Sequence, residues 1–208
     1  MKRSFMFICA AALLLTGCGA SADEASAQLF AMDTVMQLDA YGHQVKQAVS
    51  DAEETIQALE ARLSRTREDS LVSVLNQNGA AQDLSAAEQA LLSEALTFRD
   101  ATGGAFDITI APVMDAWGFT GDSYRVPAQD ELDALLENVN SDEIRLSGSS
   151  VTLGAGQAID LGGIAKGYTS DCVEAVFREN KIESGKISLG GNVFVLGGKP
   201  DGADWRVG

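Results

Sequence analysis

The chain has 208 residues, of which one is histidine, three are cysteine and three are proline. Each scarcity removes a class of chemistry. The single His43 sits beside Gly42 in a polar setting and reads as a surface-turn residue, so no Ser-His-Asp site can be assembled from it. No Cys/His cluster has zinc spacing, so any metal would be a hard cation held by oxygen atoms. Cys9, Cys18 and Cys172 make no disulfide framework, and Cys172 reads as a small buried residue within a helical pattern. Cationic residues are also scarce: 15 Lys and Arg against 30 Asp and Glu leave a net charge of −15. Such a body repels nucleic acid, and an anionic ligand would need a local cluster of donors or a cation. No apolar run is long enough to prefer a permanent bilayer span.

What is present begins with a leader. Met1-Lys2-Arg3, then "SFMFICAAALLL", then "TGC" form a charged region, a short apolar region and a small-residue cleavage site. "LLTGC" resembles the lipobox of bacterial lipoproteins, which makes residues 1–17 a signal peptide and Cys18 the lipidated first residue of the mature chain. Residues 18–28 are small and polar and are expected to be a tether.

Beyond it, 28–42 reads as a strand. Apolar residues at three- and four-residue spacings predict a helix over 44–63. Ser85 with Glu88 three residues later opens a second helix over about 85–101. Residues 104–119 mix a β-like piece, Pro112 and a helical turn, and Pro127 opens a helix over 127–139. Residues 143–163 supply two or three strands, 164–180 a helix, and 185–208 strands with glycine turns. "WRVG" at the end reads as a strand cut in the middle, so the chain is expected to continue. Mixed elements without regular βαβ alternation predict an α+β fold of mixed sheets with packed helices.

Glycine pairs mark the places where chemistry could sit. In "AIDLGGIAKGYTSD" (158–171), Gly162 and Gly163 lie where an apolar strand-like run gives way to a helix, with Lys166 in its first turn. Free backbone N–H groups, a positive helix end and close backbone approach suit a phosphate. The stretch is neither a Walker A loop nor a dinucleotide fingerprint. In "TGGAFDITIAP" (102–112), Gly103 and Gly104 can be a helix cap. Asp107 lies in an apolar run, where its carboxylate either bonds local backbone N–H groups or contacts a ligand. Gly190-Gly191-Asn192 follows a strand and is either a hairpin or part of the same ligand site. The residues alone lead to a site for a phosphate-bearing small molecule.

Together, "AMDTVMQL", "SRTREDSLVSVLN", "TGGAFDITIAPVMDAWGF", "IDLGGIAKGYTSD" and "ISLGGNVFVLGGKPDGADWRVG" resemble, in order from about Leu29 to Gly208, the ApbE family of FAD:protein FMN transferases. The resemblance implies an ApbE-like domain over 29–208, incomplete at its C-terminal end. It implies Mg2+-dependent transfer of FMN from FAD to a threonine or serine hydroxyl, with release of AMP. The acceptors would be flavin-carrying subunits of membrane electron-transport complexes. The expected location is the extracytoplasmic face of a bacterial membrane, through the lipid anchor. Alternatives are an FAD pyrophosphatase giving FMN and AMP, and a non-catalytic flavin-binding lipoprotein.

By the same resemblance Met32 is a flavin contact, and Thr66 aligns where some members carry an FAD-contacting tyrosine. Ala105, Phe106 and Asp107 match an FAD-binding triplet, which favours the ligand reading of Asp107. Gly162 and Gly163 would admit the pyrophosphate, Lys166, Tyr168 and Asp171 lie in the matching FAD-binding segment, and the Ala165 carbonyl would bind Mg2+.

Overall fold

The computed structural model describes residues 23–121 and 123–208. The expected signal peptide and the expected lipid anchor Cys18 lie outside the described residues. The first element is a strand, β1 (Asp23–Ala31), and it pairs antiparallel with β2 (Thr34–Gly42) along its whole length. Residues 23–28, expected as tether, are therefore ladder residues. Their small and polar side chains fit a sheet face open to water as well as they fit a linker. The single strand expected over 28–42 is a hairpin turning at Met32 and Asp33, whose φ values are 49° and 59°. Two left-handed residues make the turn that matches strand twist.

Helix α1 (Val45–Leu63) follows, then an unforeseen helix, α2 (Leu71–Asn78), capped by Ser70, whose hydroxyl accepts the Ser73 N–H. After β3 (Ala80–Ala81), α3 (Ala86–Ala101) opens with the expected capping box of Ser85 and Glu88. The β-like piece at 108 is one 3-10 turn, Ile108–Ile110, leading into α4 (Ala111–Trp117) with Pro112 in its first turn. Helix α5 (Gln129–Leu136) starts two residues after Pro127, with Ala128 as its cap. Short strands β4 (Arg145–Ser147) and β5 (Ser150–Thr152) pair with each other, and β5 with β3. No strand runs into Gly162. Helix α6 (Ala165–Glu179) then leads to β6 (Ser184–Leu189) and β7 (Asn192–Leu196). Residues 203–208 do not continue as a strand. Trp205 instead folds back, its ring 6.3 Å from Tyr41 and its N–H donated to the Gly197 carbonyl at 2.9 Å.

The result is an α+β fold with two cores. Sheet β1-β2-β6-β7 packs one face on α1 and α6 through Met36, Leu38, Ala48, Ala52, Ile56, Phe177 and Ile187. Gly185 makes this packing possible, because a Cβ there would meet Asp39 O at 2.8 Å and the Phe177 ring at 3.1 Å. The second core joins α2, α3 and sheet β3-β5-β4 around Leu75, Leu91, Ile108, Ile159 and Leu161. Helix α6 starts in this core at Ala165 and ends in the other at Val173 and Phe177. Its N-terminus is thus held where the two cores meet.

Candidate active site

The segment before α6 reaches its position without a ladder. Asn76 of α2 replaces a strand partner: its amide donates to Ile159 O at 2.9 Å and accepts from Ile159 N at 2.7 Å. The Asp160 N–H donates to Ile108 O at 2.7 Å. A side chain with both donor and acceptor can imitate a neighbouring strand for one residue, and periodicity cannot reveal that. The same turn uses up N–H groups expected to be free. Gly162 donates to Asp160 Oδ1 at 2.6 Å, and Ile164 and Ala165 both donate to Leu161 O.

A cavity of about 380 Å3 opens beside this turn. It is lined by Gly162, Gly163, Lys166, Tyr168 and Asp171, together with Glu94 and Phe98 of α3 and Asn192 of β7. Five of the expected residues therefore share one cavity. Asn192 ties the hairpin tip to the helix, its amide donating to Lys166 O at 3.1 Å and to Ser170 Oγ at 2.9 Å. Gly190 and Gly191, at φ 58° and 95°, are the turn of that hairpin and place Asn192 at the cavity wall. Phe106 does not line the cavity but neighbours Phe98 and Gly163, which do. Its ring is 6.3 Å from Phe98, edge to face, and a Cβ on Gly163 would meet it at 3.0 Å. Glu94 and Phe98 were missed, since nothing in an amphipathic helix pattern distinguishes cavity-facing from water-facing positions.

Tyr168 is half-buried at the wall, and burial with the neighbouring Cys172 pushes its hydroxyl up to about 12. Cys172, expected to be buried, is also half-buried, and its thiol is pushed up by that burial. Lys166 and the α6 N-terminus put positive charge against the cavity, although Ile164 caps the helix without a side-chain bond.

The other expected contacts lie elsewhere. Asp107 does not line the cavity. Its carboxylate accepts the N–H and hydroxyl of Thr109 at 2.8 and 2.6 Å, the Ser141 N–H at 3.0 Å and the Ser141 hydroxyl. Burial pushes its pKa up, but these four bonds outweigh burial and hold it below the usual carboxylate range. Three of these bonds fall on Oδ1 and one on Oδ2, with Arg99 Nε 3.9 Å from Oδ2, so the carboxylate is anchored by local structure. Ala105 is exposed on the turn after α3, where Gly103 and Gly104 are the helix cap and turn. Thr66 is exposed and, among the described residues, bonds Ser64. Met32 packs at the hairpin tip, its N–H donating to Glu60 at 2.9 Å and its sulfur 3.7 Å from Thr169 Oγ1 of α6.

The Ala165 carbonyl accepts the Thr169 hydroxyl at 2.8 Å, and among the described residues no three His, Cys, Asp or Glu side chains gather as a metal site. One neutral oxygen does not offset the dehydration of Mg2+, so the described residues do not by themselves fit that ion.

A family model described as ApbE family matches residues 32–208. The chain belongs to the ApbE family. A relative from Vibrio cholerae, named FAD:protein FMN transferase, is 26% identical over 99% of this chain and 64% of its own length. One from Treponema pallidum with the same name is 32% identical over 74% of this chain and 45% of its own length. The chain thus spans less than two thirds of each of these relatives. Among solved structures, the ApbE protein of Thermotoga maritima has a TM-score of 0.79 at 26% identity, covering 85% of this chain and 60% of that one. The flavinyl transferase ApbE of Pseudomonas stutzeri has a TM-score of 0.81 at 21% identity, covering 90% and 63%, which concerns the fold alone. Both agree with the α+β architecture of this ApbE-family chain.

Proposed function

We propose that the full-length protein is a flavinyltransferase that moves FMN from FAD, in the presence of Mg2+, to a threonine or serine hydroxyl of a target protein. The relatives' shared name supports this reading. The observation that carries it is the convergence of Gly162, Gly163, Lys166, Tyr168 and Asp171 on one cavity at the N-terminal end of α6. A backbone turn without side chains, a lysine and a positive helix end suit a pyrophosphate. The cavity's aromatic wall suits the flat ring system of a flavin or adenine.

In the transfer, the acceptor hydroxyl oxygen bonds the phosphorus on the FMN side. The P–O bond to AMP breaks, its electron pair leaves with AMP, and the hydroxyl proton passes to water. Lys166 and the helix end offset the ligand's charge while the turn at Gly162–Gly163, without side chains, lets the phosphates approach the backbone. The acceptors would be flavin-carrying subunits of membrane electron-transport complexes. The enzyme would meet them on the extracytoplasmic face of a bacterial membrane, held by lipid on Cys18.

The test incubates the full-length protein with FAD, Mg2+ and a threonine-bearing acceptor, followed by mass spectrometry. An FMN adduct on threonine supports transfer. FMN and AMP without an adduct would replace it with FAD hydrolysis. Bound flavin with neither product would leave a flavin-binding lipoprotein.

A further inference from the structure

The segment joining α1 to α2 aims one arginine at the glycine turn. Ser73 Oγ donates to Arg65 O at 2.8 Å, and Ser70 Oγ donates to Ser64 O, which pins the backbone on both sides of the residue. The Arg65 side chain is only 12% exposed. Its Nη1 meets Asp160 Oδ2 at 2.9 Å and its Nη2 meets Asp115 Oδ1 at 2.8 Å. Its Nε is buried without an acceptor. The other oxygen of Asp160 accepts the Gly162 N–H. A carboxylate, 15% exposed, therefore sits directly behind the turn that the proposed function gives to a pyrophosphate. Asp115 is 51% exposed and screened by water, so Arg65 is chiefly the counter-charge of Asp160.

We propose that Arg65 is a positioning residue for anion binding, cancelling the Asp160 charge behind Gly162 and Gly163. This inference rests on the flavin reading. Asp160 is needed as an acceptor for the Gly162 N–H, which orients the turn. Its charge is the side effect, and in a chain with net charge −15 that charge opposes a phosphate unless it is paired. The Asp160 backbone is held separately through Ile108, and Ile159 through Asn76, so losing Arg65 changes the charge more than the path of the chain.

The experiment measures binding of FAD and of riboflavin, which lacks phosphate, to the full-length protein and its variants. Arg65→Met should weaken FAD about tenfold and leave riboflavin unchanged. Adding Asp160→Asn, which keeps an oxygen for Gly162 and loses the charge, should restore FAD affinity in the Arg65→Met protein. Asp160→Asn alone should bind FAD at least as tightly as wild type, which keeps the test decisive if Arg65→Met does not fold. Unchanged FAD affinity in Arg65→Met, equal losses for both ligands, no rescue by Asp160→Asn, or weaker FAD binding by Asp160→Asn alone would each overturn the proposal. Wild-type protein that binds neither ligand would overturn the flavin reading instead.

Discussion

Replacing Asp107 with asparagine separates a binding role from a structural one. In the folded chain the carboxylate accepts four hydrogen bonds, from the backbone and hydroxyl of both Thr109 and Ser141. Those partners are 0% and 3% exposed, so water cannot take over. Asparagine keeps one acceptor oxygen and turns its amide N–H2 towards donors. Bonds to a charged acceptor are worth about 1.5–3 kcal/mol each, and leaving donors buried and unpaired adds to the loss, so Asp107→Asn should cost about 3–5 kcal/mol. That corresponds to a melting point lower by roughly 10 °C, measured with no flavin present. The pH dependence has a definite sign. The folded pKa is lowered, so the stabilisation is fully present above the unfolded value of about 3.9 and is lost as pH falls through the folded value. The gap between wild type and Asp107→Asn should be full at pH 7 and should close below about pH 4. Urea titration at several pH values measures it. An unchanged melting point beside lost FAD binding would refute the reasoning and return Asp107 to the ligand.

Gly163→Ala should push the Phe106 ring by the 3.0 Å contact and weaken FAD binding, and Phe106→Leu in the same protein should relieve it; calorimetry with both variants checks this. Tyr168 should ionise late in an ultraviolet titration, near 12, and the fold should lose stability as pH rises from about 10 towards that value, because burial disfavours the phenolate. Phe177→Ala should cost about 3–5 kcal/mol in denaturant unfolding, since the ring is fully buried between α6 and the sheet. Cys18→Ser should release the protein from membranes, and unchanged fractionation would count against the lipid anchor.

Local chemistry in the sequence was enough for the elements that carry their own signals. The spacing of Val45, Val49, Ala52 and Ile56 marks α1, Ser85 and Glu88 mark the start of α3, and the glycine pairs mark turns, through positive φ at Gly103, Gly104, Gly190 and Gly191 and close neighbours at Gly162 and Gly163. The family was legible too, because five short motifs in order are specific even where each is common. The hairpin at Met32 and Asp33 was not legible, since Met32 is not a usual left-handed turn former and no glycine follows Asp33 to mark the turn. The bonds that Asp107 makes with Ser141 were not legible, because that partner lies 34 residues away; only the family resemblance had favoured a ligand for it. The cavity wall was likewise a tertiary outcome. Glu94, Phe98, Lys166 and Asn192 meet only because α6 starts in one core and ends in the other. A charge pair such as Arg65 with Asp160 spans 95 residues, and periodicity describes only what the chain does within a few residues of itself.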